Sequence, residues 1–398
     1  MAQNYTLNSF IRHAANALLA DYFETQGLDL GIDMRALRRN QSDRIITATS
    51  LLPDAQRAAV EQDFIAVTAL GNKSGLQQII DEARFIGTDP SLGLEAQSSV
   101  INKVFWTFLY HRPVFDGAAR FAMPNAIGRY WKRHLPVTSA PGLDPASKVS
   151  SLQTALSEYF RSEEGRGRSC KVEYHARRPQ HFFHAFPEDF PDAPLAWSSA
   201  GLAPHPLRPA FEVVFCYHEV EGTLDVYFEG GWRTIERLWQ LFADAVLGID
   251  RLPTLTKPSY ALEPMKAPTL ALVSPEDGPS IDVRIKGLRF RILDGTSTVV
   301  SVETDVTDDP KAIHVAVRRT FAEDATVDAR YSLSQTRLIG VTMQATIDSG
   351  GGGRPSRRTF HLSEKSSSLK HEGHDLLLRR LLIDSGIDQT GRASSASA

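Results

Sequence analysis

A thiol, an imidazole and a carboxylate fall close together in the segment FEVVFCYHEVEGTLDVYFEGG, at Cys216, His218 and Asp225. These are the residue types a cysteine nucleophile needs: the imidazole lowers the effective pKa of the thiol, and the carboxylate orients the ring. The segment reads as two alternating strands joined by a four-residue turn at 219–222. That turn pairs His218 with Thr223, Cys216 with Asp225 and Glu212 with Glu229. Period-2 alternation then puts Val213, Phe215, Tyr217, Leu224, Val226 and Phe228 on a core face, and Glu212, Cys216, His218, Asp225, Tyr227 and Glu229 on the other. Against the nucleophile stands a plainer expectation. The polar face of any amphipathic hairpin collects such residues, and Cys–His pairs normally join separate elements.

Basic residues form a second constellation. Arg284, Lys286, Arg289 and Arg291 recur along one strand-like run, Arg318–Arg319 and Arg379–Arg380 sit on two helical stretches, and Arg354, Arg357 and Arg358 follow the glycine run Gly350–Gly353. Basic strands and arginine-bearing loops suit phosphate backbones, because each contact releases a counterion. Residues 257–398 nevertheless hold 19 Lys+Arg against 18 Asp+Glu, so any attraction must come from local placement. Gly287 can shift the phase of the basic strand, and no aromatic RNA-binding signature is present.

Other motifs are weaker. His181 and His184 are three apart in a strand-like run and so face opposite sides. His371 and His374 are spaced HExH, without the i, i+4 spacing that puts two imidazoles on one helical face. No metal site is expected. The four glycines lie between two strands rather than ahead of a GK[ST] helix start, and no GxGxxG follows a strand, so no nucleotide or other cofactor is expected.

The elements that must position these groups are legible in outline. At 398 residues the chain exceeds one ordinary core, and 42% hydrophobic with 9% aromatic residues excludes wholesale disorder. Residues 1–137 read as a helical domain. Asn8 or Ser9 caps a helix carrying Ile11, Ala14, Ala15, Leu18 and Tyr22. Pro53 opens another with Val60, Phe64 and Val67 and Gly71 as its stop, a third carries Leu76, Ile79, Ile80 and Ala83, and residues 100–111 form a buried helix apolar nearly all round. A linker follows at 138–151, then an α+β domain at 152–252 with a long, ordered Pro/aromatic loop at 179–209. A proline-rich link spans 253–279, a C-terminal α+β domain 280–388, and a disordered tail 389–398. Strand–turn–strand–helix recurs three times from about 211 to 386. The expected class is therefore α+β, a helical N-terminal bundle followed by antiparallel ββα modules with helices on one face.

Nearly balanced charge, 44 Lys+Arg against 47 Asp+Glu, supplies no global field for nucleic acid or anionic membrane. Two cysteines fit a reducing compartment, and with no signal peptide or apolar span the default is cytoplasmic. The favoured expectation is a non-enzymatic binding or regulatory protein, of the kind a bacterial accessory factor represents. It would contact nucleic acid through the C-terminal domain or a protein partner through the helical one. An enzyme on the 212–229 hairpin and a structural subunit docking through residues 100–111 are the alternatives.

Overall fold

The computed structural model describes the chain apart from residues 1–4, 90, 127–130, 135–143, 199–200, 253–257, 269–271, 273–278, 306–308, 322–331, 349–354, 372 and 393–398. It divides into two compact units, Met1–Gly128 and Arg129–Ala398. Together they form an α+β protein in which the N-terminal unit is helical and the second is built on one large antiparallel sheet.

The first unit contains α1 (Leu7–His13), α2 (Asn16–Thr25), α3 (Ser42–Ser50), α4 (Asp54–Leu70), α5 (Lys73–Phe85), α6 (Ser91–Glu95), α7 (Val100–Tyr110) and α8 (Arg112–Ala126). The apolar run expected as one N-terminal helix is two. Thr6, rather than Asn8 or Ser9, caps α1, and the chain turns extended at Ala14 and Ala15. The Ala15 amide freed by that break donates to Asn102 Oδ1 on α7, at 2.9 Å. A polar residue inside an apolar helix thus satisfies a buried donor that would otherwise cost about 1–3 kcal/mol. Val60, Phe64 and Val67 are buried on α4 as expected. The buried stripe of α5 is rotated by about one residue, to Gly75, Gln78, Ile79, Glu82 and Ala83, and at Gly75 the helix runs so close to Leu70 that a Cβ would stand only 2.2 Å from its carbonyl oxygen. Phe105 and Phe108 of α7 pack among Phe10, Tyr22 and Phe64. α7 is therefore the centre of the bundle core, which removes the exposed interface on which a structural-subunit reading rested.

The second unit begins with β1 (Trp131–His134), α9 (Val149–Glu163), β2 (Cys170–Arg177), β3 (Gln180–Pro187), β4 (Leu195–Ser198), β5 (Gly201–Pro204), β6 (Val213–His218), β7 (Thr223–Phe228) and α10 (Trp232–Phe242). It continues with β8 (Ser280–Ile292), β9 (Val299–Glu303), α11 (Ala312–Thr320), β10 (Thr336–Asp348), β11 (Ser356–Ser363), β12 (Ser366–Ser367) and α12 (Gly373–Asp384). Ten strands form one sheet in the order β2-β3-β6-β7-β1-β12-β11-β10-β8-β9, and β4 and β5 form a separate two-stranded ribbon. The middle and C-terminal modules expected as separate domains thus share a sheet. They are joined by β1, which pairs with β7 on one side and β12 on the other. β1 lies in the segment read from sequence as helical domain; four residues are too few to print a strand pattern.

Helices cover the two halves of this sheet on opposite faces, not on the single face expected. α9 and α10 close a core over Val172, Phe183, Val213, Phe215 and Val226. α12 and α11 close another over Phe290, Leu338, Met343 and Phe360. β1 shows the change of side: His134 packs on Trp239 of α10, whereas Trp131 packs on His371 just ahead of α12. Two presumed connectors are also structural. Tyr260, Leu262 and Met265, within the proline-rich 253–279 segment, are buried in the α12 core. Thr390, within the presumed tail, is buried against Asp388 and Arg133.

Candidate functional site

The hairpin of β6 and β7 has the register its turn length dictates, with Cys216 opposite Asp225 and His218 opposite Thr223. Its apolar face joins the α9–α10 core. Its polar face is covered along its middle, with Glu212 and His218 half-buried and Glu229 exposed at its ends. Cys216 and Asp225 are each 1% exposed, and Tyr227 is buried too, with the His371 ring lying against Trp131 and Phe182 on that same side.

A buried charge cluster stands where the candidate thiol, imidazole and carboxylate set was sought. Arg133 of β1 grips both Asp225 carboxylate oxygens, from Nε at 2.8 Å and Nη2 at 2.7 Å, and reaches Asp388 with Nη1 at 2.6 Å. Arg379 of α12 stands 3.4 Å from Asp225, and its remaining donors go to the carbonyl oxygens of Leu369 and Lys370. His371 Nε2 lies 2.9 Å from Asp225 but off the line of a good hydrogen bond, and its Nδ1 finds no partner. Two guanidinium groups therefore meet two carboxylates, the balance that makes buried charge tolerable. Arg133 holds the Asp225 carboxyl well below the ordinary range despite burial. Burial and the nearby Arg379 push His371 down to about 3, so it is neutral at pH 7.

This arrangement defeats nucleophilic use of Cys216. Burial first, and the Asp225 charge second, raise the thiol well above its usual value, whereas a nucleophile needs it lowered. His218 accepts from the Glu221 amide at Nδ1, at 3.1 Å, and burial lowers its pKa. A cleft of about 180 Å³ beside the cluster is lined by Arg133, His218, Thr223, His371 and Arg379, but not by Cys216. Arg133, Asp388 and the role of His371 were invisible to sequence reasoning. Arg133 has no motif around it, and its partners lie far away in the chain.

The basic constellation fares differently. Ile281, Leu288 and Phe290 of β8 are buried in the α12 core and Ile292 is buried too, so the hydrophobic phase changes from odd to even positions along the strand. The ladder with β10 slips where Ile285 pairs with Met343 and Gly287 with Thr342, leaving Lys286 as the extra residue of a bulge. A second slip, between Leu338 and Gly340, corrects β10 in the same way. The shift anticipated at Gly287 therefore keeps Arg284, Lys286, Arg289 and Arg291 together on the face away from the helices.

Their neighbours on that face follow from register. Arg291 lies beside Arg337, Arg289 beside Gly340, and Arg284 beside Gln344. Across β10, Thr346 meets Arg357, Thr342 meets His361 and Gly340 meets Ser363. The side chains missing at Gly287 and Gly340 leave a concavity of about 430 Å³, bordered by Arg289, Ser301, Glu303, Thr342, His361 and Ser363. Arg284 is neutralised by Asp282 and Arg337 by Glu364. Among the described residues, Lys286, Arg289, Arg291 and Arg357 make no ion pair.

Five other basic candidates do not join them. Arg358 points to the helical side and binds both oxygens of Asp375 on α12. Arg379 belongs to the buried cluster, and Arg380 pairs with Asp384. Arg318 and Arg319 end α11. Arg354 and the glycine run Gly350–Gly353 lie outside the described residues. His181 and His184 separate to opposite faces, as their spacing requires. His181 contacts Tyr174 and His184 lies 3.5 Å from Glu212. Among the described residues no three His, Cys, Asp or Glu side chains converge on a point that could hold a metal, and no helix is long and apolar enough to cross a membrane. Neither a protein-family model nor a curated protein matches the chain, so its functional reading is carried by geometry.

Proposed function

We propose that this is a non-enzymatic binding protein that engages nucleic acid through the exposed face of β8, β10 and β11. The observation that carries this reading is the pair of β-bulges that gathers Lys286, Arg289 and Arg291 on one face, with Arg357 further along the same face, opposite Thr346, and none of the four in an ion pair among the described residues. Phosphate contacts position a protein without reading sequence, and bases are read by groove contacts or by stacking. This face offers His361 as its one ring among residues such as Thr342, Gln344 and Ser363. The ligand is therefore bound through its backbone with little sequence preference. Two free cysteines and a balanced charge suit a cytoplasmic setting.

The test is a titration of duplex DNA and single-stranded RNA at several salt concentrations. Four phosphate contacts give a slope of log K against log salt of about −3.6 on duplex. Gly340→Glu supplies a folded negative control. A Cβ there meets Arg289 Cβ at 3.5 Å, an ordinary contact, and the new carboxylate opposes phosphate. Salt-sensitive binding lost in that variant supports the assignment. Binding that is absent in the parent, or unchanged in the variant, removes it.

A further inference from the structure

The connection between β3 and β6 is a ribbon. Its bridges run outward from Glu188–Ala210 through Asp192–Leu207 to the β4–β5 pair. Antiparallel partners share a face, so Leu195, Trp197, Leu202 and Pro204 lie on one side, with Ala196, Ser198, Gly201 and Ala203 on the other. The apolar side is bare: Trp197 is 80% exposed, Leu195 68% and Leu202 50%. Among the described residues neither outer edge of the ribbon pairs with another strand. A two-stranded hairpin is marginal alone, open edges template further pairing, and a solvent-facing Trp with two leucines marks an interaction surface.

We infer that this ribbon docks against the same ribbon of a second copy of the chain, apolar side to apolar side. Charge argues for a like partner. Residues 193–207 contain no Asp, Glu, Lys or Arg. A two-fold contact sets each group near its own copy, so a charged strip repels itself and an uncharged one does not. The exposed side chains amount to roughly 450–500 Å² per copy, about 1,000 Å² for the pair, near the lower limit of a specific interface. The dimer is accordingly weak and concentration-dependent. An anionic bilayer is disfavoured because residues 193–207 offer it no Lys or Arg, and Arg166 and Arg208 at the base of the ribbon are already paired with Asp189 and Glu188.

Sedimentation velocity of the full chain across the micromolar range, with and without phosphatidylserine vesicles, tests this. The expected result is a monomer–dimer shift with rising concentration, abolished by Trp197→Asp and retained by Trp197→Phe, with the melting midpoint unchanged in both because the site is exposed. A parent that stays monomeric at every concentration overturns the inference. So does a dimer that survives Trp197→Asp, or a monomer that pellets with the vesicles through Trp197.

Discussion

Asp225→Asn is the most informative single change in the sheet unit. It is nearly isosteric, so packing against Trp131 and Tyr227 is kept while one charge is removed. Arg133 then keeps Asp388 as its carboxylate partner, while Arg379 loses the one carboxylate it pairs with among the described residues. Removing one partner of a buried ion pair costs about 3–5 kcal/mol, because the residual charge is uncompensated. At about 2–4 °C per kcal/mol for a unit of this size, the melting midpoint should fall by roughly 6–20 °C. The lower part of that range applies if α12 shifts and admits water to Arg379. Calorimetry on the full chain reads the effect, and the melt of the helical unit serves as an internal reference. The companion variant replaces the pair together, Arg133→Met with Asp225→Leu. It should recover at least half of the loss, since a matched apolar pair leaves no charge stranded. An Asp225→Asn protein melting within about 1 °C of the parent, less than ~0.5 kcal/mol, would refute the idea that this cluster holds the sheet to α12.

Three more outcomes follow from the same geometry. With the folded pKa of His371 depressed to about 3, the unfolded chain binds the extra proton as pH falls below the ordinary histidine value near 6.5. Stability should thus drop by up to about 1.4 kcal/mol per pH unit on acidification, and His371→Gln should flatten denaturant midpoints measured from pH 7 to pH 4; an unchanged slope counts against a neutral buried imidazole. Burial raises the thiols of both Cys216 and Cys170, the latter to about 11, so mass spectrometry after iodoacetamide at pH 8 should find both unmodified in the native protein and both alkylated in denaturant. Rapid native alkylation of Cys216 would reopen a nucleophilic role. Arg289→Ala should lower the duplex salt slope by about 1, as one lost phosphate contact requires, whereas Arg358→Ala should leave that slope alone and reduce stability instead.

What could be read in advance was what the chain decides locally. The β6–β7 register depends on a four-residue turn, and its core face on simple alternation, so both were legible down to the Cys216–Asp225 pairing. What covers the other face depends on residues about 150 positions further on, at His371 and Arg379. No local pattern carries that distance, so a buried face read as a solvated one. The basic face failed for a different reason. Gly287 advertised a phase change in β8, but whether Arg284 and Arg291 end on the same side depends on a matching slip in the partner strand, at Ile339 beside Gly340, and the pairing of those two distant segments is not written in either. Proline misled as well. Tyr260, Leu262 and Met265 sit among prolines yet are buried, because proline bars a strand's hydrogen bonds and not the burial of its neighbours.

The position of β1 bears on when this protein can fold. Residues 131–134 are made early, yet their hydrogen-bonded neighbours are Leu224–Val226 on one side and Ser366–Ser367 on the other, and the Arg133 side chain is completed only by Asp388. The middle of the sheet must therefore stay open until nearly the whole unit has left the ribosome, a slow, non-local closure. In the interim β1, even once paired with β7, presents its other edge unpaired until β12 arrives. Stalled synthesis or cleavage anywhere between 230 and 365 would leave that edge exposed, so partial chains of this protein should aggregate rather than persist as half-sheets.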